Sequence, residues 1–189
     1  MRDGSETKAR IERAALNLFV HRGIEETTIR EIADAAGVSL GAMYVHYKSK
    51  TELAEVLFAE NFHRIGADLE RLADAPGALR AKLRAMIGYV FASVERNAVS
   101  VAYLFRARQE YARRVRPGEG NPYLAFRKVV AGAMAKGAIP QQDPTVTTAM
   151  VVGIINQLVD THMLGRIRSK LGDLAETVTG AALRLLKEG

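Results

Sequence analysis

The chain has 189 residues, of which 48% are apolar and 25% charged, a composition typical of globular proteins. It contains no cysteine, which excludes a disulfide framework, thiol catalysis and a thiolate metal site. The formal net charge of +6 suits a polyanionic partner, but residues 1–50 carry a net charge of only +1, so an argument for nucleic-acid binding needs a motif.

Two features of the sequence favour a cytoplasmic protein without a membrane partner. Residues 1–10 are charged and lack the apolar core of a secretory signal. The most apolar stretch, residues 149–159, is about half as long as a membrane span requires and contains Asn156 and Gln157. We interpret this stretch as part of a buried helix.

The hydrophobic pattern predicts an all-α protein of about nine helices, because apolar residues recur every three or four positions and no stretch alternates as a strand does. The first helix is expected to end near Gly23. The spacing of Thr28 and Glu31 predicts a capping box that opens a second helix, which ends at Gly37. Ser39 is expected to cap a third helix.

The remaining helices are longer and are separated by segments rich in proline and glycine. The breaks are expected at residues 74–77, 117–122 and 137–144. The six helices are expected at residues 51–72, 78–96, 99–114, 123–136, 145–165 and 170–187.

The second and third helices have the layout of a helix-turn-helix. Two short helices can cross closely only with a small residue at the crossing, which Ala33 supplies, and the turn needs a left-handed backbone, which suits Gly37. Ile32, Val38 and Met43 can pin the two helices together. On these residues alone, a plain helical hairpin with a glycine turn remains an equal alternative.

The sequence Gly-Val-Ser-Leu-Gly-Ala-Met-Tyr-Val-His-Tyr-Lys-Ser-Lys-Thr-Glu-Leu, residues 37–53, resembles the signature of the tetracycline-repressor (TetR) family of transcriptional regulators. The lead-in also resembles the family, with Phe19, Gly23 and the run Thr-Thr-Ile-Arg-Glu-Ile-Ala at 27–33. The resemblance covers about residues 7–60, and the rest of the chain is similar only in length and helical pattern.

The resemblance implies two domains: a three-helix DNA-binding domain over residues 1–50 and a helical ligand-binding and dimerisation domain over residues 51–189. It implies a regulator, by default a repressor, that binds palindromic operator DNA as a homodimer and is released by a small-molecule inducer. The second helix of the motif would lie in the major groove.

The family pattern also implies phosphate contacts by Tyr44, His46 and Lys50. Independently of the family, a hydroxyl group and free amides at the start of a helix suit an anion, so Thr28 is a further candidate. Each family-implied residue has a structural alternative: Tyr44 and His46 could pack in the core, and Lys50 could be a solvated charge.

The first turn of the third helix supplies the candidate base contacts. Gly41 permits close approach, and Leu40 and Ala42 could touch thymine methyl groups. Ser39 is expected mainly to cap the helix, and Arg30 could add a polar contact or remain solvated. Leu40 and Ala42 depart from the family, in which polar residues are common at both positions, so operator recognition could depend on DNA shape.

The last two helices are expected to form a dimer interface, because together they carry more apolar surface than so small a domain can bury. The alternative is an intramolecular core. The candidate interface residues are Met150, Ile154, Leu158, Leu171, Leu174, Val178 and Leu185.

The middle helices are expected to enclose a ligand cavity lined mainly by apolar side chains. Ordinary core packing is the alternative for each candidate. The candidates are Phe62, Met86, Tyr89, Phe91, Tyr103, Phe105, Tyr123, Phe126, Met134, Asn156 and Gln157. The fourth helix, which runs from Lys50 towards Phe62 and Ile65, is expected to transmit ligand binding to the DNA-binding domain.

Two other functions are alternatives to a regulator. Glu60 and His63 have the Glu-x-x-His spacing of helical di-iron sites, but the sequence has no second copy, as Val159 stands three residues before His162. We therefore expect no enzyme, no catalytic residue, no metal and no cofactor. A helical interaction protein with a vestigial DNA-binding domain is the other alternative.

Overall fold

The computed structural model describes residues 2–114 and 120–187. Within these ranges the chain forms nine α-helices and no strand, which confirms the all-α prediction. The helices are α1 Arg2–Arg22, α2 Ile29–Ala36, α3 Leu40–His46, α4 Lys50–Asp74, α5 Leu79–Arg96, α6 Ala98–Tyr111, α7 Pro122–Ala135, α8 Pro144–Met163 and α9 Ala175–Lys187. Residues 117–119 of the predicted loop at 117–122 lie outside the described residues.

Two helix boundaries differ from the prediction by three residues or more. Helix α6 ends at Tyr111, and a turn follows in which the Arg114 amide donates to the Tyr111 carbonyl at 2.9 Å. Helix α9 begins five residues later than expected, because Leu171–Leu174 forms a 3₁₀ turn. The amide of Gly172 in that turn donates to Glu95 at 3.3 Å rather than within a continuous helix.

Side-chain caps set the starts of several helices. In α2, Thr28 Oγ1 accepts from the Glu31 amide at 3.2 Å, and Glu31 Oε2 accepts from the Thr28 amide at 2.8 Å, which completes the predicted capping box. Helices α7 and α8 both begin with proline after a capping residue, Asn121 and Asp143 respectively. Each such cap stabilises a helix by about 1 kcal/mol.

The chain divides into two compact units. Unit 1 comprises Met1–Asn61 and Val99–Val115, and unit 2 comprises Phe62–Ala98 and Arg116–Gly189. Helix α4 therefore contributes residues to both units, and nearly all of α6 belongs to unit 1. The predicted boundary after residue 50 does not coincide with this division.

Unit 1 has an aromatic core in which α6 packs with α1 and α4. The rings of Phe19 and Tyr103 stack with centroids 5.9 Å apart, and those of Phe58 and Tyr111 lie at the same centroid distance. The Tyr103 hydroxyl donates to the carbonyl of Ala54 at 2.7 Å. These contacts attach α6 to the helices that flank the predicted DNA-binding motif.

Unit 2 has a buried core to which α5 contributes large side chains. The largest buried side chains on α5 are Met86 and Phe91, both 0% exposed. The backbones of α4 and of the segment before α7 approach so closely that a Cβ atom on Gly66 would overlap the carbonyl oxygen of Gly120. Only glycine fits at this crossing.

Hydropathy along the helices bears on membrane insertion. In residues 2–114 and 120–187, no helix combines the length and the apolar character that are needed to cross a bilayer.

Candidate nucleic-acid interface

The turn between α2 and α3 has the backbone that the motif requires. Gly37 adopts φ +63° and ψ +40°, and its amide donates to the Asp34 carbonyl at 3.0 Å. Arg10 Nη2, from α1, donates to the Gly37 carbonyl at 2.7 Å. A Cβ atom at position 37 would lie 2.6 Å from that Nη2 atom and would displace the end of the Arg10 side chain. The positive φ is the reason that glycine is favoured here.

Buried side chains hold the two helices of the motif together. Ile32 and Met43 are 0% exposed, and Ala33 is 1% exposed. Tyr47, directly after α3, is also buried, and its hydroxyl donates to Glu12 Oε1 at 2.5 Å. The arrangement is therefore a helix-turn-helix whose second helix, α3, has its inner side in the core of unit 1.

The opposite side of α3 is exposed and mainly apolar. Tyr44 is 55% exposed and Val45 is 81% exposed, and Gly41 lies on the same side, since it is four residues before Val45. Of the other first-turn candidates, Leu40 and Ala42 are half-buried. The sequence analysis missed Val45, although its spacing from Gly41 placed it beside the predicted base contacts.

Ser39 and Thr28 both have their hydroxyl groups engaged as helix caps. Ser39 Oγ accepts from the Ala42 amide at 3.1 Å. Thr28 Oγ1 donates to Glu31 Oε2 at 2.9 Å. Hydrogen bonds from Thr28 and the nearby Arg22 guanidinium lower the pKa of Glu31, so a carboxylate stands beside the predicted phosphate contact of Thr28.

The other polar candidates are placed at the ends of helices. Lys50, the first residue of α4, is half-buried, and its Nζ donates to the Glu25 carbonyl at 3.0 Å. His46, at the end of α3, is half-buried. Arg30 is exposed on the first turn of α2.

The predicted ligand-lining residues are distributed over both units. Tyr103 and Phe105 belong to unit 1, where Tyr103 is 1% exposed and fills the core. The other candidates belong to unit 2. Of these, Met86, Phe91, Phe126 and Met134 are buried, Phe62, Tyr89, Tyr123 and Asn156 are half-buried, and Gln157 is exposed.

Several of these candidates use their polar groups within unit 2. The Tyr89 hydroxyl donates to Asp68, and the Tyr123 hydroxyl donates to the Thr145 carbonyl at 2.8 Å. Burial and the Asp68 carboxylate raise the pKa of Tyr89. Gln157 donates to Thr161 at 3.2 Å. A ligand group that bound these atoms would have to compete with the existing hydrogen bonds.

The predicted dimer residues fall into two groups. Leu171 and Val178 are 0% and 4% exposed and belong to the core of unit 2, as the intramolecular alternative requires. Met150 is 48% exposed. Ile154, Leu158, Leu174 and Leu185 are half-buried.

Helix α8 exposes an apolar face near its start, which includes the predicted interface residue Met150. Val146, 50% exposed, lies one turn before Met150 on the same face. Ala149 and Gly153, also exposed, make this face shallow. The face ends there, because the exposed polar residues Gln157 and Asp160 follow on the same side of the helix. We refer to Val146, Ala149, Met150 and Gly153 as the α8 face.

In the described part of the chain, no group of three or more histidine and acidic side chains could hold a metal ion. The Glu60 and His63 spacing is therefore not accompanied there by further ligands.

The geometry defines a helix-turn-helix, and comparison with known sequences finds a family that shares this segment. Residues 11–57 match the family model described as bacterial regulatory proteins, tetR family. Curated relatives that are similar over this segment are named HTH-type transcriptional regulators.

Two curated relatives illustrate the extent of the sequence similarity. The regulator AcrR of Shigella flexneri is 37% identical over 92 residues, which are 48% of this chain and 43% of AcrR. The regulator TtgR of Pseudomonas putida is 37% identical over 73 residues, which are 39% of this chain and 34% of TtgR. The matched segments thus span less than half of these relatives.

Solved structures extend the similarity of fold to nearly the whole chain. A TetR family regulator from Marinobacter aquaeolei VT8 has a TM-score of 0.79 at 17% identity, and the match covers 98% of each chain. FadR from Bacillus subtilis, solved in complex with stearoyl-CoA, has a TM-score of 0.76 at 19% identity, with 93% of this chain and 97% of FadR covered.

Proposed function

We propose that the protein is a ligand-responsive transcriptional repressor that binds palindromic operator DNA as a homodimer in the cytoplasm and is released by a small-molecule inducer. The observation that carries the proposal is the exposed side of α3, held by the Gly37 turn. A helix with a solvent-facing side, packed against a preceding short helix, is the element that enters the major groove in helix-turn-helix proteins.

The exposed side of α3 favours apolar contacts with bases. Val45 offers a branched apolar group, Leu40 and Ala42 offer smaller exposed surfaces, and Gly41 leaves room for close approach. These groups can touch thymine methyl groups, but their side chains cannot form hydrogen bonds with base edges. We therefore infer that specificity combines methyl contacts with DNA shape, and that Arg30 and Ser39 contribute at most secondary polar contacts.

Register on the DNA would come from phosphate contacts. Tyr44 is exposed, and Lys50 carries a positive charge at the start of α4. His46 is the third candidate. At the start of α2, the free backbone amides are better suited to phosphate than the Thr28 hydroxyl, which the capping box occupies.

The α8 face supports the homodimer. An exposed apolar strip of this kind is costly in water and is typical of a surface that another molecule covers. A second copy is the natural occupant, because two copies of the motif would match a palindrome. Ile154, Leu158, Leu174 and Leu185 are half-buried and could extend the contact, whereas Leu171 and Val178 are assigned to the core.

The fold similarity supports a small-molecule effector, since the Bacillus subtilis FadR of similar fold was solved with stearoyl-CoA. Within unit 1, α6 is joined to α4 by the Tyr103–Ala54 hydrogen bond and by the contact of the Phe58 and Tyr111 rings. A ligand that prefers one arrangement of these helices would change DNA affinity by its difference in affinity for the two states.

The decisive experiment is selection of binding sites from a random duplex DNA pool with the purified protein. A palindromic consensus bound by a dimer is the expected result. Failure to recover any consensus, with only weak and salt-sensitive binding, would instead favour an interaction protein with a vestigial DNA-binding domain.

A matched pair of variants tests the phosphate contact. Lys50→Ala should weaken binding similarly on all sequences and reduce the slope of log K against log salt by about 0.9. The exposed Lys136, in unit 2, serves as the control, and Lys136→Ala should leave the slope unchanged. Equal slopes for both variants would show that Lys50 makes no phosphate contact.

A further inference from the structure

Unit 1 carries a groove that the proposed DNA contacts do not use. Residues of α1 form one wall and the end of α2 forms the other. The groove has a volume of about 280 Å³ and is lined by Arg10, Arg13, Ala14, Asn17, Ala35 and Ala36. We call it the α1–α2 groove.

The lining of the α1–α2 groove is positively charged. It contains two guanidinium groups and no carboxylate. Within the described residues Arg13 forms no ion pair, unlike Arg22, which pairs with Glu31 at 3.0 Å. Arg10 uses Nη2 to donate to the Gly37 carbonyl, and a guanidinium group has further N–H donors that this bond leaves available.

The remaining lining residues make the groove concave and add one more donor. Ala14, Ala35 and Ala36 have short side chains that leave the space between the helices unfilled. Asn17 Nδ2 donates to the Arg13 carbonyl at 2.9 Å and has a second N–H group. The donors therefore come from two charged groups and one amide on a single helix.

The size and chemistry of the groove limit its ligand. The volume of about 280 Å³ lies just below the range of about 300–1,000 Å³ that is usual for pockets that bind a drug-sized molecule. It is ample for a tetrahedral oxyanion with an attached substituent. Arginine forks match the oxygens of phosphate, which can accept several hydrogen bonds at once.

We propose that the α1–α2 groove binds a phosphate group, supplied either by the backbone of duplex DNA or by a free phosphate compound. Such a ligand would accept hydrogen bonds from Arg10, which also donates to the Gly37 carbonyl. Phosphate binding would therefore be coupled to the turn that orients α3. The inference goes beyond the proposed function, because the groove lies outside the contacts assigned to α3 and to the starts of α2 and α4.

The first test uses inorganic phosphate and does not depend on DNA binding. Phosphate is titrated against chloride at matched ionic strength, while the backbone amides of Ala35, Ala36 and Gly37 are followed by NMR. A saturable shift that disappears in Arg13→Glu and persists in Arg106→Glu is the expected result. Arg106 is the control because it is an exposed arginine of unit 1 outside the groove.

The second test uses a non-specific duplex and identifies the source of the phosphate. If a DNA phosphate occupies the groove, Arg13→Ala should reduce the salt slope by about 0.9, and Arg106→Ala should not. If only free phosphate binds, the first test is positive and the slopes are equal. The absence of both effects would overturn the proposal, whether or not the protein proves to be a repressor.

Discussion

The hydroxyl group of Tyr47 donates a hydrogen bond to the carboxylate of Glu12, across 2.5 Å, and thereby joins the end of the proposed DNA-reading helix to α1. The same carboxylate pairs with Lys8 at 3.2 Å, and Lys8 also pairs with Glu60 of α4 at 3.2 Å. Residues of α1, of α4 and of the C-terminal cap of α3 thus meet at one polar cluster in unit 1.

Tyr47→Phe should lower the free energy of unfolding by about 1–2 kcal/mol, because a partly buried hydrogen bond to a charged group is lost. Urea denaturation measures the change. The control is Tyr44→Phe, since Tyr44 is 55% exposed, and it should alter stability by less than about 0.5 kcal/mol. Similar losses in both variants would contradict the assigned role of the Tyr47 hydroxyl.

Alkaline pH should destabilise the protein through its buried tyrosines. Burial raises the pKa of Tyr47 and of Tyr103 above the ordinary value, and raises the pKa of Tyr111 to about 12. The folded state therefore holds these protons more tightly than the unfolded state. Their contribution is present below about pH 10, the ordinary tyrosine pKa, and is lost as the pH rises through the folded-state values.

Urea unfolding at several pH values, with tyrosinate followed by ultraviolet absorbance, measures this dependence. Tyr103→Phe should have a lower stability at neutral pH and a shallower decline above about pH 10 than the unmodified chain. A decline of unchanged steepness would show that Tyr103 does not contribute to the alkaline transition.

Alanine substitutions at Gly66 and at Gly88, both in unit 2, should have opposite effects on stability. Gly66→Ala should cost about 3 kcal/mol or more, because its Cβ atom would overlap the Gly120 carbonyl and backbone must move. Gly88→Ala, in α5, should instead stabilise by about 0.5–1 kcal/mol, because its Cβ atom meets nothing within 4 Å and alanine favours the helix. Thermal unfolding of both variants provides the comparison, and a tolerated Gly66→Ala would contradict the crossing.

A charge on the α8 face should separate the proposed dimer. In Gly153→Glu the new side chain points into open space in the single chain, so folding should be unaffected, but a partner would bury an unpaired carboxylate. We expect the dissociation constant of the dimer to rise at least about tenfold, as measured by sedimentation velocity. Ala85→Glu, on an exposed side of α5, is the control, and its dimer should be unchanged.

The sequence predicted the features that depend on local interactions. The capping box of Thr28 and Glu31, the left-handed Gly37 and the Ser39 cap each involve residues within a few positions of one another. These local signals also located the motif on which the family resemblance rests. The start of α9 was missed because Gly172 bonds to Glu95, a contact between residues far apart in the sequence.

Other features could not be read from periodicity, because a hydrophobic pattern does not identify what covers an apolar side chain. The pattern placed Tyr103 in a ligand cavity, but its ring fills the core of unit 1 through contacts with Phe19 and Ala54. It placed Val178 in a dimer interface, but Val178 is buried within unit 2. Val45 was missed since an apolar residue in a helix is usually expected to be buried.

The hydrogen bond between Lys50 Nζ and the Glu25 carbonyl lowers the entropic cost of a phosphate contact by Lys50. A free lysine side chain loses up to about 2 kcal/mol of rotamer freedom when it is fixed. Here the loop before α2 already restrains the ammonium group, which retains further N–H donors for an incoming anion. Part of the ordering that a phosphate contact requires is thus completed during folding, before any DNA is present.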